Sequence, residues 1–288
     1  MIPLYQEAQN IEMWKKYQKN FNAGLWYDKF FYQWEKDWTI AKDGKKDGKK
    51  DGKKEWIQSV TSGDIGDPSL IQEALTRLLS LVTTLGGSYM CYKTQWRFVT
   101  GLGRKHPIEN GFVWHHTLGV PYLPGSSFKG LVRSWAEEWS EIDPKEIEKI
   151  FGPKGKGKSD KAGSVIFFDV LPIKAIKLEA DVMTPHYSPY YLQEKNKIEK
   201  APGDWYAPGD WYDPVPIPFL TVASDQTFVF AIAPRIKEGK EDIFKLQEWI
   251  KEALSWAGAG AKTSVGYGRF EPHEEAQRKL AQSLKKEG

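Results

Sequence analysis

The chain has 288 residues, 41 Lys and Arg against 38 Asp and Glu, a formal net charge of +3 and 40% apolar residues. That length allows one large domain or two small ones, and the apolar share is enough for a packed core, which excludes global disorder. The charge is uneven: residues 42–54 alone carry +4, so the remainder is slightly acidic and the total says nothing about partners. A single cysteine, Cys91, excludes an internal disulfide and a Cys-based zinc finger. The opening Met1-Ile2-Pro3-Leu4-Tyr5-Gln6-Glu7 has no basic stretch leading into an apolar one, and no apolar run approaches the roughly 18–20 residues of a membrane span. The expectation is a soluble, cytoplasmic protein.

Residues 4–40 read as irregular helix rich in Trp, Tyr and Phe. Asp-Gly-Lys-Lys then occurs three times, at 43–46, 47–50 and 51–54, which makes 42–54 a flexible, solvated surface loop or, alternatively, a basic RNA-binding arm. Asp67-Pro68-Ser69 opens a helix carrying Leu70, Ile71, Ala74, Leu75, Leu78 and Leu79, with Pro68 suited to a first turn. Residues 89–100 read as a strand, 101–125 as a Gly/Pro-punctuated loop, 126–139 as a helix and 152–163 as a second basic loop. Residues 165–168 and 176–182 read as strands, and 184–216 as a segment rich in Pro, Tyr and Trp. Residues 219–223 and 227–233 read as a strand pair turning at Ser224-Asp225. Residues 242–257 predict a helix with Ile243, Leu246, Ile250, Ala253, Leu254 and Ala257 on one face. A short strand near 267–270 and a charged helix or frayed tail from Glu274 complete the chain. The order of elements predicts an α+β fold close to a split β-α-β, ferredoxin-like (RRM-like) pattern. Such sheets often bind RNA on a face or edge, although fold alone does not fix function.

Three constellations bear on chemistry. Around the helix at 126, Ser126 is a suitable N-cap, and Ser126, Lys129, Gly130 and Arg133 share one face. Gly130 lowers helix propensity, so its place requires a reason such as close approach of a backbone. Helix N–H groups, hydroxyls and cations together make a phosphate-binding arrangement, with a solvated basic face as the plainer reading. The surrounding block, 88–135, carries Lys93, Arg97, Arg104, Lys105, Lys129 and Arg133 against Glu109 alone. It also holds His106, His115 and His116 and the rings of Trp96, Phe98, Phe112, Trp114 and Tyr122, a basic and aromatic mixture suited to single-stranded RNA. Phe98 and Phe112 are expected in the core.

The second constellation is the Gly-rich stretch 257–269, with Gly258, Gly260, Lys262, Thr263, Gly266, Gly268 and Arg269 and no acid. Glycines let backbone N–H groups converge on an anion. It is no Walker loop, because Ala261 stands where a Gly is required and a helix precedes it. The third is a duplicated hexapeptide, Ala-Pro-Gly-Asp-Trp-Tyr, at 201–206 and 207–212, read as a tolerated duplication or as rings for stacking or docking. Nothing calls for a metal or cofactor: adjacent His115 and His116 cannot both face one ion from a regular strand. His106, His115, His116 or His186 would be the acid–base groups of a metal-independent endoribonuclease, the rival reading.

Gly101-Leu102-Gly103, His106-Pro107-Ile108-Glu109-Asn110-Gly111-Phe112 and the run 119–133, with its Gly-Ser-Ser-x-Lys-Gly-x-x-Arg element, resemble the RAMP superfamily of CRISPR-associated proteins. With Asp181-Val182-Met183-Thr184-Pro185-His186-Tyr187 and the Gly-rich stretch, they resemble the branch supplying the sixth subunit of the type III-B Cmr RNA-targeting complex. The motifs span about 88–271, leaving 1–87 as a helical extension and 272–288 as a charged tail. The resemblance implies a ferredoxin-like RAMP core with a thumb at 184–216. It implies contact with the 3′ part of a CRISPR guide RNA, target RNA met through the guide duplex, and stacking on a backbone RAMP subunit, in defence against foreign nucleic acid. RNA-contact positions carried over are Ser126, Ser127, Lys129 and Arg133 together with Gly258, Gly260, Lys262, Thr263, Gly266, Tyr267 and Arg269; Arg104 and His115 join them from the basic block. Family members that cut target RNA use an Asp in the loop after the first strand. The 101–125 loop has only Glu109, which implies a non-catalytic subunit.

Overall fold

The computed structural model describes residues 22–31, 34, 40, 52–154, 162–185 and 214–287. The expectations for most of 4–40, for most of the Asp-Gly-Lys-Lys repeats, the 152–163 loop and the thumb, and for the duplicated hexapeptide and His186 lie outside those residues. In chain order the elements are α1 (Ala23–Lys29), α2 (Gly52–Thr61), β1 (Asp64–Ile65), α3 (Pro68–Thr84), β2 (Ser88–Thr94), β3 (Lys105–His106) and β4 (Glu109–Asn110). Then come α4 (Gly125–Glu138), α5 (Pro144–Phe151), β5 (Val165–Phe167), β6 (Leu171–Pro172), β7 (Ile176–Met183) and β8 (Ile217–Val222). Last are β9 (Thr227–Pro234), α6 (Gly239–Glu252) running into a π turn (Ala253–Ala257), β10 (Phe270–Pro272) and α7 (Glu274–Glu287).

This is a mixed α+β architecture with antiparallel sheets. The main sheet runs β10-β2-β9-β5, with β6 also on the outer edge of β9. A second sheet runs β1-β7-β8, and β3 and β4 form a small hairpin. All eight residues of β9 are buried, and its two-residue period splits them between two cores. Phe228, Phe230 and Ile232 pack with Phe128 and Val132 of α4 and with Ile243, Leu246 and Ile250 of α6. Val229 and Ala231 pack with Ile71, Leu75 and Leu79 of α3 and with Ala276 and Leu280 of α7. Helices therefore close both faces of β9, so an open sheet face for RNA is not available there.

Asp67 caps α3, its carboxylate accepting from Ser69 and Leu70 N–H, as the Asp-Pro-Ser signal predicts. Several expectations are corrected. The strand expected over 89–100 ends at Thr94, whose hydroxyl donates to Ala223 O and accepts from Gln226 N–H, both at 2.9 Å. The chain then leaves the main sheet, and Phe98 bridges Val222 in the second sheet. Strands β8 and β9 exist with a turn at 224–225, but they do not pair: β8 lies on β7 and β9 on β2. Asp225, at φ 57°, makes the turn that passes the chain between sheets.

Helix α2 begins at Gly52, inside the loop expected over 42–54. Helix α5 is an addition to the expected elements, although Asp143-Pro144 repeats the Asp67-Pro68 signal and Asp143 caps Lys145 N–H at 2.9 Å. The final strand starts at Phe270, after the left-handed Gly266 and Gly268. The tail from Glu274 is a docked helix.

Candidate nucleic-acid interface

A groove of about 750 Å³ lies between α4, the Gly101–Gly103 loop and the Gly-rich stretch after α6. Five expected contact residues meet there: Ser127, Gly258, Gly260, Thr263 and Arg269. The loop is laced onto the segment after β2. Ala261 N–H donates to Val99 O and Gly268 N–H to Arg97 O, both at 2.8 Å, which brings glycine backbone up to the groove wall. Arg269 donates to Thr263 O at 3.4 Å, while its buried Nη1 has no hydrogen-bond partner and its guanidinium no carboxylate among the described residues. A buried donor left unmade is costly, and a guanidinium in a groove is the natural partner of a phosphate.

The start of α4 departs from expectation. Pro124, not Ser126, is the N-cap residue, and the first N–H, from Gly125, donates to the Asp169 carboxylate at 2.7 Å. An internal acid therefore occupies that end of the helix, and its phosphate-binding capacity rests on side chains. Ser126 is exposed outside the groove. Lys129 is half-buried, and burial, with Arg133 and Arg235 nearby, holds its ammonium below the usual lysine range. No carboxylate pairs with Lys129 among the described residues. Arg133 is paired with Glu137 at 2.9 Å, and Glu137 also takes Lys154 at 2.6 Å. Arg235, at the end of β9, is the cation that sequence reasoning missed; only the fold brings it to Lys129. A Cβ on Gly130 would meet nothing within 4 Å, so internal packing does not require this glycine.

Tyr267 is not free to stack. It is buried, and its hydroxyl donates to Asp181, which also accepts from Arg97 Nη1 at 3.0 Å. Desolvation, then the hydrogen bond to Asp181 and its charge, push the Tyr267 phenol up to about 12. Lys262 sits over the rings of Phe219 and Tyr267, at 5.5 and 6.0 Å, a cation–π arrangement that fixes its direction. Gly266, at φ 99°, lies against the Trp96 ring.

Arg104 and His115 lie elsewhere. Arg104 lines a separate hollow of about 320 Å³ with Asn22, Asp28 and His106. His115 Nδ1 accepts from Leu118 N–H at 3.3 Å, and its carbonyl takes Gly119 N–H, so the residue closes a turn. Both ring nitrogens of His106 are committed: Nε2 donates to Tyr27 O at 2.9 Å and Nδ1 accepts from Ile108 N–H at 3.3 Å.

Burial lowers the His106 pKa below its ordinary 6.5, and that of His115 likewise. The unfolded chain therefore takes up protons first on acidification, so stability is fully present above about 6.5 and declines as pH falls through the window below it. Denaturant titrations at pH 7.5 and 5.5 are expected to show that decline, and His106→Gln is expected to flatten it. An unchanged pH slope in that variant would contradict the assignment.

Residues 65–271 match the RAMP superfamily, a range that starts at β1 and not at 88. The chain is 37% identical over 235 residues to the CRISPR system Cmr subunit Cmr6 of Pyrococcus furiosus, covering 62% of this chain and 66% of that one. It is 30% identical over 174 residues to the corresponding Cmr6 subunit of Saccharolobus solfataricus, covering 60% and 51%. The chain thus spans between half and two thirds of these curated relatives. A chain in the cryo-EM structure of the type III-B Cmr-beta complex bound to cognate target RNA shares the fold, with a TM-score of 0.66 over 92% of this chain and 95% of that one at 22% identity. The family match, the two Cmr6 relatives and the shared fold agree: this chain belongs to the RAMP superfamily.

Proposed function

We propose that this chain is a non-catalytic RNA-binding subunit of a type III-B CRISPR (Cmr) effector complex. It holds the guide RNA towards its 3′ part beside a backbone RAMP subunit and meets target RNA through the guide duplex. The observation that carries this reading is the convergence of Ser127, Gly258, Gly260, Thr263 and Arg269 on one groove, with no carboxylate paired to the Arg269 guanidinium among the described residues. The two Cmr6 relatives support the assignment to such a complex. The order β10-β2-β9-β5, with α4 following β2 and α6 following β9, supports a ferredoxin-like core.

The mechanism is phosphate capture without base readout. Lys129, Arg133 and Arg235 form one cationic patch, and Arg269 with the glycine backbone forms a second. Non-cleavage is supported by the commitment of His106 on both nitrogens and of Glu109 to an ion pair with Lys53. No helix among the described residues is long and apolar enough to cross a membrane.

Lys129→Ala with Arg133→Ala is expected to weaken guide binding about equally across sequences. It should also flatten the dependence of log K on log salt by about 0.7 for each phosphate that the protein no longer neutralises. Unchanged affinity and slope in folded protein would overturn the reading, as would site-specific cutting of RNA by the purified chain in EDTA.

A further inference from the structure

We propose that the groove between α4 and the π turn takes an unpaired nucleotide of single-stranded RNA, its base stacked on Trp139 or Trp256 and its phosphate on Arg269. The proposal deepens the RNA-binding reading above and rests on it.

Two large rings stand in solvent on the groove's rim: Trp139 is 66% exposed and Trp256 is 63% exposed. Neither serves the core. Trp139 ends α4, its N–H on Trp135 O at 2.9 Å, and Trp256 lies in the π turn. That turn is a second, independent sign. It keeps Ala253 and Leu254 buried while directing Trp256 outward, in a geometry that is rare and concentrates at functional sites. The facing wall has little bulk. A Cβ on Gly103 would meet nothing within 4 Å, and Thr263 and Ser264 add only short hydroxyl-bearing side chains. The Arg269 guanidinium is the third sign: it lines the groove with no carboxylate partner among the described residues, and a cation so placed favours an anion.

A ligand with a flat π face and an attached anion satisfies all three signs together, and a nucleotide is such a ligand. About 750 Å³ is room for one or two nucleotides, not for a duplex. Glu138 is the one acid among the described lining residues, and it accepts from the Ser134 hydroxyl at 2.9 Å.

The experiment uses the full chain and single-stranded RNA in which successive positions carry 2-aminopurine or an abasic ribose. Trp139→Ala and Trp256→Ala are expected to weaken binding, about 5- to 100-fold for the ring that carries the base. The melting temperature and the salt slope should stay as they are, and the Trp→Phe variant should restore most of the affinity. At one position the 2-aminopurine emission is quenched by the parent and not by the variant, and the abasic substitution costs the parent what the Ala variant has already lost. If RNA binds with the expected salt slope and both Ala variants keep full affinity, this proposal falls and the RNA-binding reading stands. If the parent chain binds no RNA, both fall. If the variants keep RNA affinity but no longer join neighbouring Cmr subunits, the rings dock a protein and the proposal is overturned.

Discussion

Gly260→Ala is expected to lower folding stability by about 2–4 kcal/mol and to detach the Gly-rich loop from the chain beneath it. Gly260 has φ +85°, a left-handed conformation that an L side chain adopts only with strain. Its added Cβ would also fall inside the contact distance of Val99 O and lie 2.8 Å from the Phe98 ring. The Val99 carbonyl cannot swing aside, because it accepts Ala261 N–H, and the Phe98 ring is fully buried. Strain, steric displacement and a broken hydrogen bond therefore act together. For a chain of this size each kcal/mol is worth roughly 2–4 °C, so thermal melts should shift down by about 5–15 °C. Gly130→Ala is the control: it sits in a helix with open space around it, and propensity alone is expected to raise stability by up to about 1 kcal/mol. Equal shifts in the two variants would refute the distinction between a glycine required by the fold and one that the fold leaves free.

The second large effect is expected at Asp181. Asp181→Ala removes a carboxylate only 19% exposed, the shared acceptor of Arg97 and Tyr267, and leaves both donors without it. Arg97 keeps its contact with Glu179 and remains partly solvated, so the loss is about 2 kcal/mol and not the full penalty of a buried broken pair. The functional loss is larger in proportion. Tyr267 is one of the rings under the Lys262 ammonium, and its hydroxyl is tied to β7 through Asp181. Freeing it loosens the loop that carries Gly258 and Gly260. Asp181→Asn, which retains one acceptor oxygen, is expected to recover about half of the stability. Denaturant midpoints for the two variants, with RNA affinity measured alongside, test the order parent, Asn, Ala; identical midpoints would remove Asp181 from the loop's support.

Much of the fold is legible in the sequence because it is local. The capping carboxylate of Asp67 and the apolar run of 227–233 each depend on neighbours a few positions away. What is not legible depends on distance along the chain. Short apolar runs rich in aromatic and β-branched residues identify 219–223 and 227–233 as strands but not their partners, and a tight turn between them suggests a hairpin that the two sheets rule out. Asp169 supplies the N–H acceptor at the start of α4 from 44 residues away. Tyr267 stands as an implied RNA-contact position until Asp181, 86 residues earlier, takes its hydroxyl. For the site, Ser127 enters only through the family resemblance, whereas the glycines and Arg269 are readable as chemistry. The groove's two exposed tryptophans are not, since Trp139 continues an apolar stripe and Trp256 falls inside a helical pattern that a π turn breaks.

The second face of the main sheet also sets a timetable for folding. Gln277 of α7 holds Cys91 N–H at 2.7 Å and Tyr89 O at 3.0 Å, finishing the edge of β2 that β10 covers only from Tyr92 to Thr94. Those bonds close loops of more than 180 residues. During synthesis β2 leaves the ribosome long before its edge partner exists. Helix α3 likewise waits for β9, and Leu280 and Leu284 of α7 arrive later still. Long-range closure of this kind is slow, and an uncovered strand edge invites pairing with another chain. For this protein the hazardous interval is the time between the emergence of β2 and the docking of α7, and a nascent chain is best protected over that interval by whatever shields residues 88–94.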